Sequence, residues 1–230
     1  MDFSGRNVIV TGGTGALGAA VVGALLSAGA SCRLPYLHEQ EAQRFPHRDH
    51  KQVTLIGDSN LADEAAVARL YGEGPLWASI HIAGGFAAGR VADTDKATLV
   101  GQLDTNLVSC FLCCRAAVKA MAGKGGRIVN VAARPALEWR AGAGMSAYAV
   151  SKAGVAALTV ALAEEVAKDG ILVNAVAPST MDTPANRKAM PNADFNAWPK
   201  VEEVANTIVF LASPNNSVTR GGIVPVYGKS

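Results

Sequence analysis

Apolar residues follow two rhythms along this chain. Short runs rich in Val and Ile occupy residues 6–11, 30–35, 52–56, 76–83, 126–133, 171–177 and 222–226. Runs of this kind, with little polar alternation, read as strands buried on both faces. Between them, apolar residues recur at helical spacing from about 16 to 27 and over 62–71, 96–121, 146–169 and 201–211. Strand and helix alternate, so the pattern predicts an α/β domain: a doubly wound, seven-stranded parallel sheet in the order 3-2-1-4-5-6-7, with helices on both faces. Gly170 stands where a C-cap glycine should end the fourth of these helices. Residues 178–198 break the rhythm. They are rich in Pro, Asn and Asp, with Phe195 and Trp198 as isolated aromatics. A loop at the sheet's carboxyl edge is a natural lid, expected over about 179–200. No repeat, linker or low-complexity segment interrupts the pattern.

Composition narrows the function. At 230 residues and 50% hydrophobic, the chain is expected to form a single globular domain over 1–230. The net charge of +2, with no long basic run, argues against nucleic acid as a partner. No apolar run reaches the ~18 residues of a membrane span, and the first residues enter a strand directly with no signal peptide, so no membrane partner is expected. Four Cys fit a reduced cytoplasmic protein. Cys110 and Cys113 have ligand-like spacing, but they lie in an apolar helical run without a second pair. They read as core, with no metal expected.

The candidate chemistry begins at residues 11–18, Thr-Gly-Gly-Thr-Gly-Ala-Leu-Gly, directly after the first strand. Gly12, Gly15 and Gly18 would let backbone approach a pyrophosphate, and the helix N-terminus behind them favours its charge. Thr14, Ala16 and Leu17 complete that candidate loop, for which a plain tight turn is the bland alternative. After the second strand, where nucleotide folds often place an acid on the ribose, the chain has Tyr36, then Leu37, His38 and Glu39. No Arg/Lys pair replaces the acid, and Arg33 lies within the strand. The choice between NAD and NADP stays open, with a slight lean to NADP. Asp58, after the third strand, either meets adenine or caps the helix over 62–71. Ala83, Gly84 and Gly85 end the fourth strand and would permit close approach of a ligand. His81, inside that strand, reads as a satisfied core residue. Asn106, an amide within an apolar helix, is a core hydrogen-bonder or a site-facing water holder.

Tyr148 and Lys152 share a helix face at i and i+4. A phenol titrates near ~10, and a neighbouring cation favours the phenolate; each tenfold change in that ionisation equilibrium is worth roughly 1.4 kcal/mol. Alone, such a pair is a weak signal, and a surface i,i+4 pair is its bland reading. A glycine loop preceding it in the chain makes it stronger.

Together these elements resemble the short-chain dehydrogenase/reductase family over nearly the whole chain. The resemblance rests on the glycine loop, Ala83-Gly84-Gly85, Asn106, Tyr148-x-x-x-Lys152 and the segment from Pro178 to Thr183. It implies a Rossmann fold binding NAD or NADP. It also implies Tyr148 as proton donor or acceptor and Lys152 as ribose ligand and modulator of the phenol. Asn106 would hold a water in the relay, and Pro178, Thr180 and Thr183 would lie by the nicotinamide. A homodimer or homotetramer is implied, paired through the helices that hold Asn106 and Tyr148.

The departures are informative. Family members usually carry a Ser at the end of the fifth strand, and this chain has Ala132 and Ala133. Ala16 replaces a glycine, Ile82 an Asn, and Ser179 the glycine after Pro178. Ser146, before Tyr148, is a substitute donor or a helix-start cap. One branch, dihydropteridine reductase, is similar at Ala133-Arg-Pro-Ala-Leu-Glu, at Gly144-Met and over 182–198. That branch uses NADH with an acid where Tyr36 stands, and it typically lacks the Asn supplied here by Asn106.

The expected function is therefore NAD(P)H-dependent reduction of a small-molecule carbonyl, imine or quinonoid substrate, dihydropteridine reductase-like. An oxyanion donor fewer would favour an activated acceptor. A general carbonyl or 3-oxoacyl-type reductase is the alternative, and a nucleotide-binding scaffold lacking the usual Ser is the alternative from another class.

Overall fold

Val8, Ile9 and Val10 are at most 2% exposed, so this strand needs cover on both faces. In the computed structural model, which describes residues 1–72 and 74–230, β1 (Asn7–Thr11) lies third in a seven-stranded sheet, with strands on either side. The other strands are β2 (Ser31–Pro35), β3 (Val53–Ile56), β4 (Ala78–His81), β5 (Gly126–Val131), β6 (Ile171–Pro178) and β7 (Ile223–Val226). Every pairing is parallel and the order is 3-2-1-4-5-6-7, as the alternation of runs requires. All strands therefore end on one edge, and loops from several of them converge there.

Helices cover both faces. On one, α1 (Ala16–Ser27) sets Val21, Val22 and Leu25 against Ile208 and Val209 of a late helix, Val201–Ala212. Truncating fully buried Ile208 to Ala would cost about 2–5 kcal/mol. Between these two come α2 (Glu39–Arg44), α3 (Glu64–Tyr71), α4 (Lys96–Leu103), α5 (Ser109–Met121), α6 (Arg134–Leu137), α7 (Ser146–Glu165) and α8 (Pro184–Ala189), so Val201–Ala212 is α9. On the other face Leu112, Ala117 and Met121 of α5 and Val155 and Ala163 of α7 pack on Ile128 and Val173.

Four departures from the sequence-based expectation have local causes. The helix expected over 96–121 is interrupted by a π-helical turn, Asp104–Val108, around Asn106. The helix bearing Tyr148 ends at Glu165, and a 3-10 turn, Ala167–Asp169, leads into left-handed Gly170 with φ 71°. The break expected as irregular contains α8, started by Pro184 and capped by Thr183, whose Oγ1 accepts from the Asn186 N–H at 3.2 Å. It also holds a 3-10 turn, Phe195–Ala197. A short α2 follows β2, where no helix is expected from the sequence. Lys96–Met121 and Ser146–Glu165 are long and apolar enough to cross a bilayer by length and composition, although polar residues interrupt both and neither is a continuous apolar run. One face of each is spent on the sheet.

Candidate active site

The glycines of the first loop have different duties. Gly12 turns with φ 65°, and a Cβ there would lie 2.7 Å from the Ala83 nitrogen. A Cβ on Gly18 would lie 2.0 Å from the Gly12 oxygen. These two fasten the loop to β4 and to α1. A Cβ on Gly15 would meet only the Gly12 oxygen, at 3.4 Å. Gly15 is therefore not needed by the protein's own packing, and its smallness keeps the cleft open. It is also the N-cap of α1, with no side-chain cap and no acid in the first turn, so the positive end of the helix dipole is left for a ligand.

This loop forms one wall of a cleft of about 810 Å³. Gly12, Thr14, Gly15, Ala16, Leu17 and Gly18 line it, as expected. The far wall comes from Pro35, Tyr36, Leu37 and Glu41 after β2, and from Ser59, Asn60, Leu61 and Ala62 after β3. Ala83 and Gly84 form the floor; Thr105 of the π turn and Thr183 and Asn186 of the lid close the sides. Residues 59–62 were not foreseeable, because they lie in a loop without a motif.

Tyr36 donates its hydroxyl to Glu39 Oε2 at 3.0 Å, and that bond, with the charges of Glu39 and Asp58, raises its pKa. No Arg or Lys lines the cleft among the described residues. Arg33 donates instead to the Leu70 carbonyl, at 2.9 Å. Asp58 is exposed in the left-handed region, φ 49°, and its carbonyl accepts from Arg69 at 3.2 Å. It does not cap the helix after it. Asp63 does, accepting from the Ala65 N–H at 2.8 Å, because α3 starts two residues later than the sequence suggested.

A second chamber, about 240 Å³, opens beside the first and shares Leu17, Ile82, Gly84 and Met181 with it. Its walls bring Gly85, Phe86, Ala132, Ala133, Tyr148, Lys152, Pro178 and Ser179 together. Thr180 and Ser146 line neither chamber. Ser146 is not the cap of α7 either; that position is Met145, which has no side-chain cap bond.

Asn106 is 1% exposed and fully engaged. Its Oδ1 accepts from the Gly85 N–H at 2.9 Å, and its Nδ2 donates to the Gly85 carbonyl and to Ser151 Oγ, both at 3.0 Å. This amide sits within the π turn, and such turns are frequent at functional sites. A Cβ on Gly84 would come 2.6 Å from Asn106 Oδ1 and 3.3 Å from Lys152 Nζ, so glycine there lets both side chains reach the floor.

Lys152 is 5% exposed and donates to the Val131 carbonyl at 2.8 Å. Burial lowers its pKa to about 8, with a smaller opposing effect from Cys110. Tyr148 is half-buried, and its ring meets Phe86 edge-on at 5.0 Å and 81°. Burial pushes its hydroxyl up to about 12. The expected lowering of the phenol by Lys152 is thus corrected: desolvation dominates, and the ammonium is directed at Val131.

His81 lies behind the cleft. Its Nδ1 is 2.8 Å from Asn130 Oδ1 and its Nε2 2.8 Å from Ser79 Oγ, so it is a satisfied core residue. The cysteines nearest to it are Cys110 and Cys114, one helical turn apart, not the Cys110–Cys113 pair that the spacing suggested. The three ligand atoms lie within 4.8 Å of one another. None of the three lines the cleft.

The nucleotide chamber fits a dinucleotide on its own features: an uncapped helix N-terminus, an open Gly15 and a neighbouring chamber with a titratable pair. A parallel doubly wound sheet with this cleft at its carboxyl edge places a nucleotide-sized site where such folds bind their ligands. Comparison with known proteins agrees. The family model described as short chain dehydrogenase matches residues 6–194, and the chain belongs to that family. It is 34% identical to galactitol 2-dehydrogenase of Rhizobium johnstonii, covering 97% of this chain and 94% of the relative. It is 28% identical to 3-oxoacyl-[acyl-carrier-protein] reductase of Rickettsia felis, covering 99% and 98%. A short-chain type dehydrogenase/reductase from Mycobacterium ulcerans has the same fold, with a TM-score of 0.89 at 24% identity over 100% of this chain and 90% of that one. The chain is an NAD(P)-dependent oxidoreductase, and the scaffold alternative is set aside.

Proposed function

We propose that this protein reduces a small, flat carbonyl, imine or quinonoid acceptor with NADH. The observation that carries the reading is the second chamber: Tyr148 and Lys152 on one wall, with the methyls of Ala132 and Ala133 and the ring of Phe86 leaving room for a planar group. A bound nicotinamide supplies the hydride. The chain's residues do the rest. Gly12, Thr14, Gly15, Ala16, Leu17 and Gly18 hold the pyrophosphate with backbone and helix dipole. Ala83, Gly84 and Gly85 form the floor under the nicotinamide ribose. Lys152 keeps one proton on Val131 and turns the others to that ribose. Pro178 and Thr183 lie toward the carboxamide, and Thr180, which lines neither chamber, takes no part in that contact. Tyr148, kept protonated by burial, gives its proton to the acceptor. Asn106 positions the floor by gripping both polar groups of Gly85, and its engaged amide takes this positioning role in place of the water-holding one.

NADH is favoured over NADPH, against the lean of the sequence. Tyr36 hydrogen-bonds Glu39, and Glu41 lines the same wall, so a 2′-phosphate there would meet carboxylates and, among the described lining residues, no cation.

The stretch over 182–198, where the sequence resembles dihydropteridine reductase, is held together by its own contacts. Arg187 grips Asp182 with two bonds, 2.6 and 2.8 Å, and lies 4.8 Å over the Phe195 ring. Phe195 in turn meets Trp198 at 5.0 Å. A pterin-like acceptor suits a chamber lined by the Phe86 and Tyr148 rings. A general carbonyl or 3-oxoacyl-type reductase is the second reading, favoured by the names of the relatives above.

We read residues 1–230 as one nucleotide-binding domain with a lid over 179–200. Its four cysteines are unpaired and buried, which suits the cytoplasm. Leu99, Val100, Phe111, Val150 and Val160 expose apolar surface on α4, α5 and α7, which supports a homodimer or homotetramer.

The test is a fluorescence titration of NADH and NADPH, then turnover with quinonoid dihydropterin, isatin and cyclohexanone. Tighter NADH binding and faster reduction of the two conjugated acceptors are expected. Tight binding without turnover on any of the three would contradict the proposal.

A further inference from the structure

The chamber beside Tyr148 lacks a hydroxyl at the end of β5, where Ala133 contributes a methyl. Its wall is not otherwise bare. Among the described residues, three lining side chains carry an N–H or O–H donor: Tyr148, Lys152 and Ser179. Lys152 is turned to Val131. Ser179 stands at the end of β6, the strand next to β5, with Val131 paired to Val176 and the Ala132 N–H bonded to the Val176 carbonyl. Neighbouring strands lie about 4.8 Å apart, so Ser179 lines the same chamber from one strand over, with its hydroxyl bonded at the chamber's edge to groups outside it.

Its hydrogen bonds leave that hydroxyl able to turn. Ser179 Oγ donates to the Tyr227 carbonyl at 2.9 Å. Ser230 Oγ lies 2.7 Å from the same carbonyl and 2.8 Å from Ser179 Oγ. Two hydroxyls thus share one acceptor. When Ser179 turns its proton into the chamber, Ser230 keeps the Tyr227 carbonyl paired, so no partly buried polar group is orphaned.

We propose that Ser179 supplies the second hydrogen bond to the acceptor oxygen, in the place left by the alanine at 133. Tyr148 gives up its proton; Ser179 donates a hydrogen bond and keeps its own. Ser179 thereby stabilises the charge that develops on the oxygen as hydride arrives. The assignment rests on the reading of Tyr148 as proton donor.

The experiment compares Ser179→Ala, Ser179→Thr and Ser230→Ala, with Ser179→Ala/Ala133→Ser and Ser179→Ala/Ser230→Ala, using isatin and NADH. Ser179→Ala should lower kcat about 10²-fold and leave the NADH Kd, read by fluorescence, unchanged. Ser179→Thr should keep most activity. Ala133→Ser should restore Ser179→Ala at least in part. Ser230→Ala should lower kcat in the parent, because it pins the Ser179 proton on Tyr227, and should have no further effect in Ser179→Ala. This last comparison, and the Thr variant, report even if the Ala variant is poorly folded. Parent-like turnover of Ser179→Ala, or equal losses in kcat and in NADH affinity, would overturn the assignment. Full turnover of Tyr148→Phe would mark failure of the underlying reading instead.

Discussion

Lys152 holds the largest conflict in the site, a cation 5% exposed beside a half-buried phenol. Its pKa of about 8, against 10.5 for an ordinary lysine, means that the folded chain binds this proton more weakly than the unfolded chain does. Folding stability contributed here therefore rises as pH climbs from 8 toward 10.5, because the unfolded state holds the extra proton in that window. Lys152→Met should stabilise the cofactor-free protein at pH 7 by on the order of 1–3 kcal/mol. The gain should shrink above pH 8 and vanish near 10.5, as read by denaturant melts across pH. A pH-independent gain would assign the effect to packing. At this scale the sequence was informative about identity and silent about energetics. The spacing of Tyr148 and Lys152 put them on one helix face, and they do line one chamber. The direction in which the tyrosine's pKa moves was not legible, because it depends on burial by strands distant in the chain. Ser179 was visible only as a departure from a glycine, with nothing to say that it lined the chamber.

At the scale of elements, the loop between β1 and α1 separates structural glycines from a ligand-facing one. Gly15→Val should leave the fold intact, since a Cβ there meets nothing closer than 3.4 Å, and should weaken NADH binding at least tenfold. Gly18→Val should instead destabilise by about 1–3 kcal/mol or more, since its Cβ would lie 2.0 Å from the Gly12 oxygen. Circular dichroism and NADH fluorescence on both variants separate the two roles. If the valine at 15 binds NADH like the parent, the pyrophosphate lies elsewhere. The strands and their order were legible because fully buried parallel strands are continuous apolar runs. The π turn was not, since a single extra residue in a helix leaves the apolar pattern almost unchanged. The lid helix was hidden for a related reason: a Pro-, Asn- and Asp-rich stretch reads as loop, although Thr183 and Pro184 together form a helix start.

For the whole molecule, the exposed apolar residues of α4, α5 and α7 bear on assembly. Phe111 is 50% exposed in the isolated chain. Phe111→Glu should shift the protein toward monomer by light scattering, with a change of mass as the readout; an unchanged mass would place any interface on another face. The central claim, an oxidoreductase whose proton comes from Tyr148, is tested most directly by the kcat of Tyr148→Phe with NADH and isatin, measured together with the NADH Kd. The predicted result is a fall in kcat of about 10²–10⁴-fold with NADH affinity nearly unchanged. Turnover at the parent rate, with the cofactor bound as before, would contradict it.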